Sequence, residues 1–205
     1  MLNVSPLSNN LGVSRAFDLV YVIDTSQTTS ESILRIIKDF IRKDIESYKL
    51  SPSQTRVAIV TYGLDGNLVL PIEKGINRDE ILKSLEKLVV VNSPGKLYKA
   101  LEVVSSRVFQ NYSPDRPSTN RTVVIITTSK SLTSDLSNLG TVSQALRDRN
   151  VNIIAVGLGA GVSKLELTQV TGDEQLVIIL PTGSYLVGPG IEILTSLIGK
   201  LTGMV

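Results

Sequence analysis

The side chains best suited to chemistry in this chain are carboxylates and hydroxyls, and one carboxylate and three hydroxyls lie together in the segment Asp24-Thr25-Ser26-Gln27-Thr28. This segment follows a near-continuous apolar run, Phe17 to Ile23, which is typical of a strand buried on both faces. Carboxylate and hydroxyl oxygens are the ligands that hard cations such as Mg²⁺ prefer. The alternative is that the Asp24 carboxylate caps its own loop by accepting backbone N–H groups. In the first interpretation Asp24 is a metal ligand, and in the second its role is structural.

Composition limits the functions that the chain supports. Its 205 residues include no cysteine and no histidine, which excludes disulfides, thiolate chemistry, histidine-ligated metals and every catalytic triad that uses imidazole. The formal net charge is +2 and basic residues alternate with acidic ones, so we expect no nucleic-acid partner. No apolar run reaches the roughly 18 residues of a membrane helix, so we expect no membrane insertion. The first residues lack the pattern of a signal peptide, so we expect any secretion signal to be removed or to lie outside this sequence.

Hydrophobic periodicity predicts strands that alternate with helices. The predicted strands are Phe17 to Ile23, Arg56 to Tyr62, Leu68 to Ile72, Thr122 to Thr127, Val151 to Val156 and Leu176 to Leu180. The predicted helices are one capped by Ser30, then Asn77 to Leu88, Leu97 to Phe109, Leu139 to Arg149, a short one between Ser163 and Gly172, and Ile191 to Leu201. Two prolines mark Asn111 to Asn120 as a surface loop.

This order of elements predicts an α/β fold, with a doubly wound, mostly parallel central sheet, one antiparallel edge strand and helices on both faces. The antiparallel edge follows from the hairpin signal Gly63 to Asn67, and Pro71 suits an edge strand because proline cannot donate to a ladder. In such sheets the ligand lies beyond the carboxyl ends of the strands, where the strand order reverses. We therefore expect the functional loops to begin at Asp24, Thr128 and Gly157, joined by the break Ser93 to Lys96.

Several segments, taken in order, resemble the von Willebrand factor A (vWA) family. They are Phe17 to Thr28, Arg56 to Tyr62, Lys99-Ala100-Leu101 and Ile153 to Gly159. The first resembles the family's opening strand, which starts near an Asp and ends in Asp-x-Ser-x-Ser. The resemblance implies a Rossmann-like vWA fold, with residues 1–16 as an N-terminal lead-in and residues 17–203 as a single vWA domain.

The resemblance also implies a metal-ion-dependent adhesion site. In the family, the Asp-x-Ser-x-Ser loop, a Thr and a second Asp hold Mg²⁺ or another divalent ion, and an acidic group of the partner completes the coordination. Asp24, Ser26 and Thr28 match the first loop, with a threonine in place of the last serine. These three residues are the leading candidates for any bound cation.

The other two metal positions depart from the family pattern. Gly95 stands where the family has its Thr, although a shift of the loop would bring in Ser93, and Thr128 stands in place of the second Asp. Asp135 is a candidate substitute acid. Because fewer charged ligands bind a divalent ion more weakly, we expect a degenerate site with weak or no dependence on Mg²⁺, Mn²⁺ or Ca²⁺.

Within the family, the resemblance is strongest to the extracellular matrix branch of matrilins and vWA-bearing collagens. It implies a non-enzymatic, secreted adhesion module that binds collagen or other matrix proteins. We expect the partner contacts to come from residues of the loops at the carboxyl end of the sheet: Gln27, Thr29, Gly95, Lys96, Ser129 and Lys130. Two alternatives stay open: an intracellular vWA scaffold in a multiprotein complex, and a metal-dependent domain that binds an acidic partner group through Asp24, Ser26 and Thr28.

Three further motifs have weaker implications. The Asn-x-Ser/Thr sequences at Asn3, Asn111 and Asn120 are possible glycosylation sites. Asp24-Thr25-Ser26 is similar to the aspartic protease motif, but those enzymes are almost all β and need two carboxylates that share a proton. Gly157 to Gly161 resembles part of a dinucleotide fingerprint, yet its third glycine is misplaced. We expect a tight strand-to-helix turn there and no enzymatic activity.

Overall fold

The structure is a computed structural model that describes residues 16–110, 116, 119–181, 192, 196, 198 and 199. Almost all of the predicted lead-in, and most of the predicted loop Asn111 to Asn120 and helix Ile191 to Leu201, lie outside the described residues. The glycosylation candidates Asn3 and Asn111 lie outside them as well. The predicted sheet and the loops around Asp24 lie within them.

Six strands form one sheet in the described part of the chain, in the order β3-β2-β1-β4-β5-β6. They are β1 Phe17–Asp24, β2 Thr55–Tyr62, β3 Gly66–Leu70, β4 Asn120–Thr127, β5 Val151–Leu158 and β6 Val177–Leu180. All neighbouring strands are parallel except β2 and β3, which pair antiparallel across a short hairpin. The predicted sheet with a single antiparallel edge is confirmed.

Five α-helices cover the sheet in the described ranges. They are α1 Glu31–Asp44, α2 Arg78–Glu86, α3 Leu97–Val103, α4 Leu136–Asp148 and α5 Lys164–Thr171. Ser30 and Ser163 begin α1 and α5, because their hydroxyls accept orphan backbone N–H groups of the first turn. Gly172 ends α5 with a φ of 78°, a left-handed conformation that glycine adopts without steric cost. No helix among the described residues is long and apolar enough to cross a membrane.

The alternation of side chains along the strands divides the core into two layers. In β1, Phe17, Leu19, Tyr21 and Ile23 face one layer, and Val20 and Val22 face the other. The first layer packs against the apolar stripes of α1 and α2. The second packs against α3, α4 and α5. Because both faces of the central strands are covered, these strands carry continuous rather than alternating apolar sequences.

Three of the element boundaries that differ from the sequence prediction have a local explanation. Strand β3 ends at Leu70, directly before Pro71, which lacks the N–H that a ladder needs. The predicted helix Leu97 to Phe109 is divided: its α-helical part, α3, ends at Val103, and a wider π turn follows over Val104–Val108. Helix α4 begins at Leu136, whereas the prediction began it at Leu139. The first turn is exposed and shows no apolar periodicity, so the sequence pattern did not reveal it.

The strand order places a crevice at the end of β1. The chain runs from β1 outward to β2 and β3, and later from β4 outward to β5 and β6 on the other side. The connections that leave the carboxyl ends of β1 and β4 therefore diverge, which is the arrangement that creates ligand sites in open α/β sheets.

Candidate binding site at the carboxyl ends of the strands

Three chain segments meet at this crevice, and together we call them the carboxyl-end face. They are the β1–α1 loop (Thr25–Ser30), the segment before α3 (Val89–Lys96) and the β4–α4 loop (Thr128–Leu132). Backbone hydrogen bonds join the first two: the Gln27 N–H donates to the Ser93 carbonyl at 3.0 Å, and the Val91 N–H donates to the Thr25 carbonyl at 2.7 Å. Side-chain hydrogen bonds through Asp24 join the first and the third.

Asp24, the last residue of β1, is fully buried, and its carboxylate is occupied by protein donors. Its Oδ1 accepts the Ser26 N–H at 2.9 Å. Its Oδ2 accepts both the N–H and the hydroxyl of Thr128, at 3.1 and 3.0 Å. The carboxylate thus caps its own loop and also fixes the first residue of the β4–α4 loop. Hydrogen bonds from backbone N–H groups are a usual means of stabilising a buried carboxylate.

Hydroxyl groups extend this network toward the surface, and we call Ser26, Thr28, Thr29, Thr128 and Ser129 the hydroxyl cluster. Thr28 Oγ1 lies 2.9 Å from Ser26 Oγ and 3.0 Å from Thr128 Oγ1. It also lies 3.2 Å from Ser129 Oγ. Thr29 Oγ1 lies 3.1 Å from Thr128 Oγ1 and 3.2 Å from the Asp24 carbonyl oxygen. The structure therefore brings Asp24, Ser26, Thr28 and Thr128 together, four of the five residues proposed as metal ligands.

A buried tyrosine supports the cluster from below. The Tyr62 hydroxyl, at the end of β2, donates to Thr127 Oγ1 at 2.9 Å, and Thr127 in turn donates to the Ser129 carbonyl at 2.9 Å. Burial, and then the negative charge of Asp24, raise the pKa of the Tyr62 phenol well above its ordinary value. Tyr62 therefore remains a neutral donor throughout the physiological pH range.

The segment before α3 contributes Gly95 rather than Ser93 to the cluster. A Cβ atom on Gly95 would lie 3.0 Å from Ser26 Oγ, so this position is in contact with the hydroxyl cluster but brings no oxygen. The Ser93 hydroxyl instead accepts the Leu64 N–H at 3.1 Å. Asp135, the candidate substitute acid, is buried at the start of α4, and no hydrogen bond within the described residues links it to the cluster.

The spacing of the hydroxyl oxygens in this cluster suits a divalent ion, but the cluster has too little negative charge to hold one tightly. Adjacent ligands of an octahedral Mg²⁺ lie about 3 Å apart, close to the 2.9 and 3.0 Å separations of the Ser26, Thr28 and Thr128 hydroxyls. Asp24 is the single carboxylate in this network, and both of its oxygens already accept protein hydrogen bonds. Among the described residues, no group of three or more acidic side chains could hold a metal. These residues therefore do not fit a tightly held divalent ion.

The residues expected to contact a partner differ in exposure. Gln27 and Lys130 are exposed, and Gly95, Lys96 and Ser129 are half-buried. Thr29 is only 3% exposed, because its hydroxyl supports Asp24 and Thr128 from beneath. Its predicted role as a contact is corrected: Thr29 is not available to a partner.

Asn120 and Gly157, which the sequence analysis singled out, both lie at or beside strand ends. Asn120 is the half-buried first residue of β4 and not part of a loop, and the hydroxyl-bearing Thr122 of its motif is fully buried. A Cβ on Gly157 would lie 2.8 Å from both Ile179 and Val162, so this glycine serves close packing of strand and turn.

Sequence reasoning missed Tyr62, Thr127 and Glu166. The first two end β2 and β4, so their position at the carboxyl ends of central strands was the signal available. Glu166, on α5, accepts hydrogen bonds from Ser131 in the β4–α4 loop. A contact between residues 35 positions apart left no local pattern to detect.

Comparison with known proteins identifies relatives of this chain. The family model of the von Willebrand factor type A domain matches residues 18–186. Matrilin-1 of Bos taurus is 24% identical over 178 residues, covering 85% of this chain and 32% of that protein. Von Willebrand factor of Rattus norvegicus is 25% identical over 178 residues, covering 85% of this chain and 41% of that protein. The chain thus spans less than half the length of these relatives.

Solved structures share the fold. Proximal thread matrix protein 1 from the mussel byssus superimposes with a TM-score of 0.79 at 20% identity, over 90% of this chain and 46% of that one. The manganese-loaded TRAP protein of Plasmodium vivax gives a TM-score of 0.74 at 13% identity, over 92% of this chain and 74% of that one. Since the family model covers most of the chain and the sheet has the matching architecture, the chain belongs to the von Willebrand factor type A domain family.

Proposed function

We propose that this chain is a non-enzymatic protein-binding module that holds its partner on the carboxyl-end face without a tightly bound metal. The observation that carries the proposal is the contact between Thr128 and Asp24. Thr128 donates its hydroxyl and its N–H to Asp24 Oδ2, and Ser26 donates its N–H to Oδ1, so both carboxylate oxygens already accept hydrogen bonds from the protein. Without a cation to anchor an acidic group, binding depends on surface shape and on charge complementarity.

The exposed surface around the cluster supports a protein partner. Leu64, Val89 and Val91 are 50%, 62% and 38% exposed, and the Val91 N–H donates to the Thr25 carbonyl of the β1–α1 loop. A Cβ on Gly63 would lie 2.6 Å from the Val91 side chain, which places Val91 beside the residue that precedes Leu64. The exposed Val89 and Val91, together with Gln27 and Lys130 on the other two segments of the carboxyl-end face, offer the mixture of apolar and polar groups that protein interfaces use.

We further propose that the partner is a component of the extracellular matrix, with collagen as the first candidate. The support is the similarity to matrilin-1, to von Willebrand factor and to a matrix protein of the mussel byssus. On the same basis we propose that the chain is secreted and that residues 17–203 form one vWA domain after the lead-in 1–16. Asn3 and Asn111 then remain the glycosylation candidates, since Asn120 lies in β4.

A second candidate function is metal-dependent adhesion to an acidic partner group. The observation that favours it is the 2.9 to 3.0 Å spacing of the Ser26, Thr28 and Thr128 hydroxyls, which matches an octahedral ligand set. One solved structure of the mussel protein has a zinc-occupied MIDAS motif, and the TRAP structure is manganese-loaded. In this chain the single carboxylate would leave such an ion weakly held.

The test is binding of the purified chain to immobilised fibrillar collagens and matrix proteins, measured in EDTA and in millimolar Mg²⁺. We expect binding in both buffers. Thr28→Ala and Lys130→Glu should weaken it about tenfold, which is the effect of losing roughly 1.4 kcal/mol of contact energy. Thr141→Ala and Lys43→Glu change exposed residues of α4 and α1 and serve as matched controls. Binding that EDTA abolishes would contradict the metal-free proposal, and equal effects of face and control variants would contradict the assigned face.

A further inference from the structure

The β4–α4 loop is held from two opposite sides. On one side, Thr128 and Ser129 bond to Asp24 and Thr28 of the β1–α1 region. On the other side, the loop contacts α5 and the turn that precedes it. The first set of contacts belongs to the hydroxyl cluster, whereas the second lies outside that cluster.

Glu166 makes the main contact from α5. The residue is 7% exposed, and its two carboxylate oxygens each lie 3.1 Å from the Ser131 backbone nitrogen, which donates to them. The Ser131 hydroxyl donates to Oε1 at 2.8 Å. One residue of the loop therefore gives both of its donors to one buried carboxylate.

The turn before α5 adds a second contact. The Lys130 N–H donates to the Gly161 carbonyl at 2.9 Å. A Cβ on Gly161 would lie 2.8 Å from the Thr128 carbonyl oxygen, so the two backbones pass too closely for any side chain at this position. Three successive parts of the loop, at Thr128, Lys130 and Ser131, thus rest against the Gly161 to Glu166 segment.

Local structure explains why a carboxylate is stable at this place. Glu166 lies in the first turn of α5, where Ser163 caps the helix by accepting the Glu166 N–H at 3.3 Å. The positive end of the helix dipole stabilises a negative charge there. No lysine or arginine in the described part of the chain forms an ion pair with Glu166. The Ser131 donors are therefore its principal direct partners, and losing the carboxylate would leave the Ser131 N–H without its acceptor.

We propose that Glu166 is a positioning residue of the carboxyl-end face: it fixes the β4–α4 loop so that Thr128 reaches Asp24 and Ser129 and Lys130 face the partner. This inference rests on the proposed function, because it assumes that the loop forms part of the binding surface. Helix α5 then influences affinity through a side chain that no partner can touch.

The first test follows amide hydrogen exchange and needs no partner. Glu166→Ala removes both acceptor oxygens, and we expect exchange at Lys130 and Ser131 to quicken at least tenfold while β1 and β4 keep their protection. Glu166→Gln keeps one amide oxygen as acceptor and should give a smaller increase at the same residues. Unchanged exchange in the loop would overturn the proposal.

Two control variants separate positioning from general stability. Leu167→Ala, in the same helix, removes a buried core side chain and should quicken exchange across the sheet. Glu174→Gln removes an exposed carboxylate paired with Lys164 and should leave the loop unchanged. If Glu166→Ala instead reproduces the sheet-wide pattern of Leu167→Ala, the role of Glu166 is structural and the proposal is wrong.

The second test measures binding to whichever matrix protein the wild-type chain recognises. We expect Glu166→Ala to weaken it several-fold, whereas Glu174→Gln leaves it unchanged. Local loosening of the loop without loss of affinity would overturn the role in binding. If the wild-type chain binds none of the matrix proteins, the proposed function fails, and the exchange experiment still decides whether Glu166 positions the loop.

Discussion

At the scale of single residues, three buried aspartates are stabilised in three different ways. Asp18, at the start of β1, accepts hydrogen bonds from Arg56 at 2.7 and 2.8 Å and from Arg116 at 2.7 Å. Asp44, at the end of α1, accepts the hydroxyls of two buried tyrosines. Asp24 accepts backbone N–H groups and a threonine hydroxyl. The third arrangement leaves the Asp24 charge without an ion pair in the described structure, and this distinguishes it from Asp18.

Three tyrosines provide a test of these surroundings. Burial, and then the charge of Asp44, raise the pKa values of Tyr21 and Tyr48 well above the ordinary value, as burial and Asp24 do for Tyr62. In the unfolded chain the same phenols lose their protons near pH 10. The unfolded state therefore binds fewer protons than the native state above about pH 10, so the free energy of unfolding falls as pH rises through that range.

The measurement is an alkaline titration of phenolate absorbance, followed together with circular dichroism. We expect three of the six tyrosines to remain protonated until the chain unfolds. Tyr48→Phe should reduce by one the number of tyrosines that ionise together with unfolding. Ionisation of all six in a chain that keeps its native dichroism would contradict the described surroundings of Asp24 and Asp44.

At the scale of elements, glycines show where segments pass too closely for a side chain. Gly75, between β3 and α2, donates its N–H to the Ile72 carbonyl at 3.2 Å, and its own carbonyl accepts the Val57 N–H at 3.0 Å. A Cβ at this position would lie 1.6 Å from the Val57 carbonyl oxygen. Gly140 lies within α4, and a Cβ there meets nothing within 4 Å. Substitution by alanine should therefore change the stability of the chain in opposite directions at the two positions.

We expect Gly75→Ala to destabilise the chain by about 3 kcal/mol, because the backbones of β2 and of the β3–α2 connection must separate to admit the methyl group. Gly140→Ala should stabilise it by up to about 1 kcal/mol, the difference in helix propensity between the two residues. Denaturant unfolding of both variants and the wild type measures these differences. Equal stabilities for the two variants would show that the described approach to Val57 is wrong.

The elements themselves were largely predictable, whereas their precise contacts were not. The continuous apolar sequence of β1 and the stripe of α1 are direct consequences of burial, so sequence periodicity predicts both. The start of α4 escaped prediction because its first turn is solvent-exposed. The Glu166 to Ser131 contact escaped because it depends on how α5 packs beside the β4–α4 loop, which no local pattern encodes.

At the scale of the whole molecule, strand order explains why the candidate site lies where it does. β1 stands between β2 and β4, so its loop and the β4–α4 loop meet at the point where the strand order reverses. The family resemblance located this point from the sequence through Asp24, Ser26 and Thr28. The structure adds that Thr128 donates its N–H and its hydroxyl to Asp24 Oδ2, while Oδ1 accepts the Ser26 N–H. The central claim is that the site is complete without a divalent ion.

The most direct test of that claim is the melting temperature in EDTA and in millimolar Mg²⁺, for wild type and for Thr128→Asp. Thr128 Oγ1 lies 3.0 Å from Asp24 Oδ2, so a second carboxylate there should lower the melting temperature in EDTA by charge repulsion. A bound ion would relieve the repulsion. At about 100 times its dissociation constant it would add about 2.7 kcal/mol, or several degrees in a chain of this size.

We predict that Mg²⁺ leaves the wild-type melting temperature unchanged and raises that of Thr128→Asp by several degrees. A rise of several degrees in the wild type, abolished by Asp24→Ala, would contradict the claim and establish a working metal site.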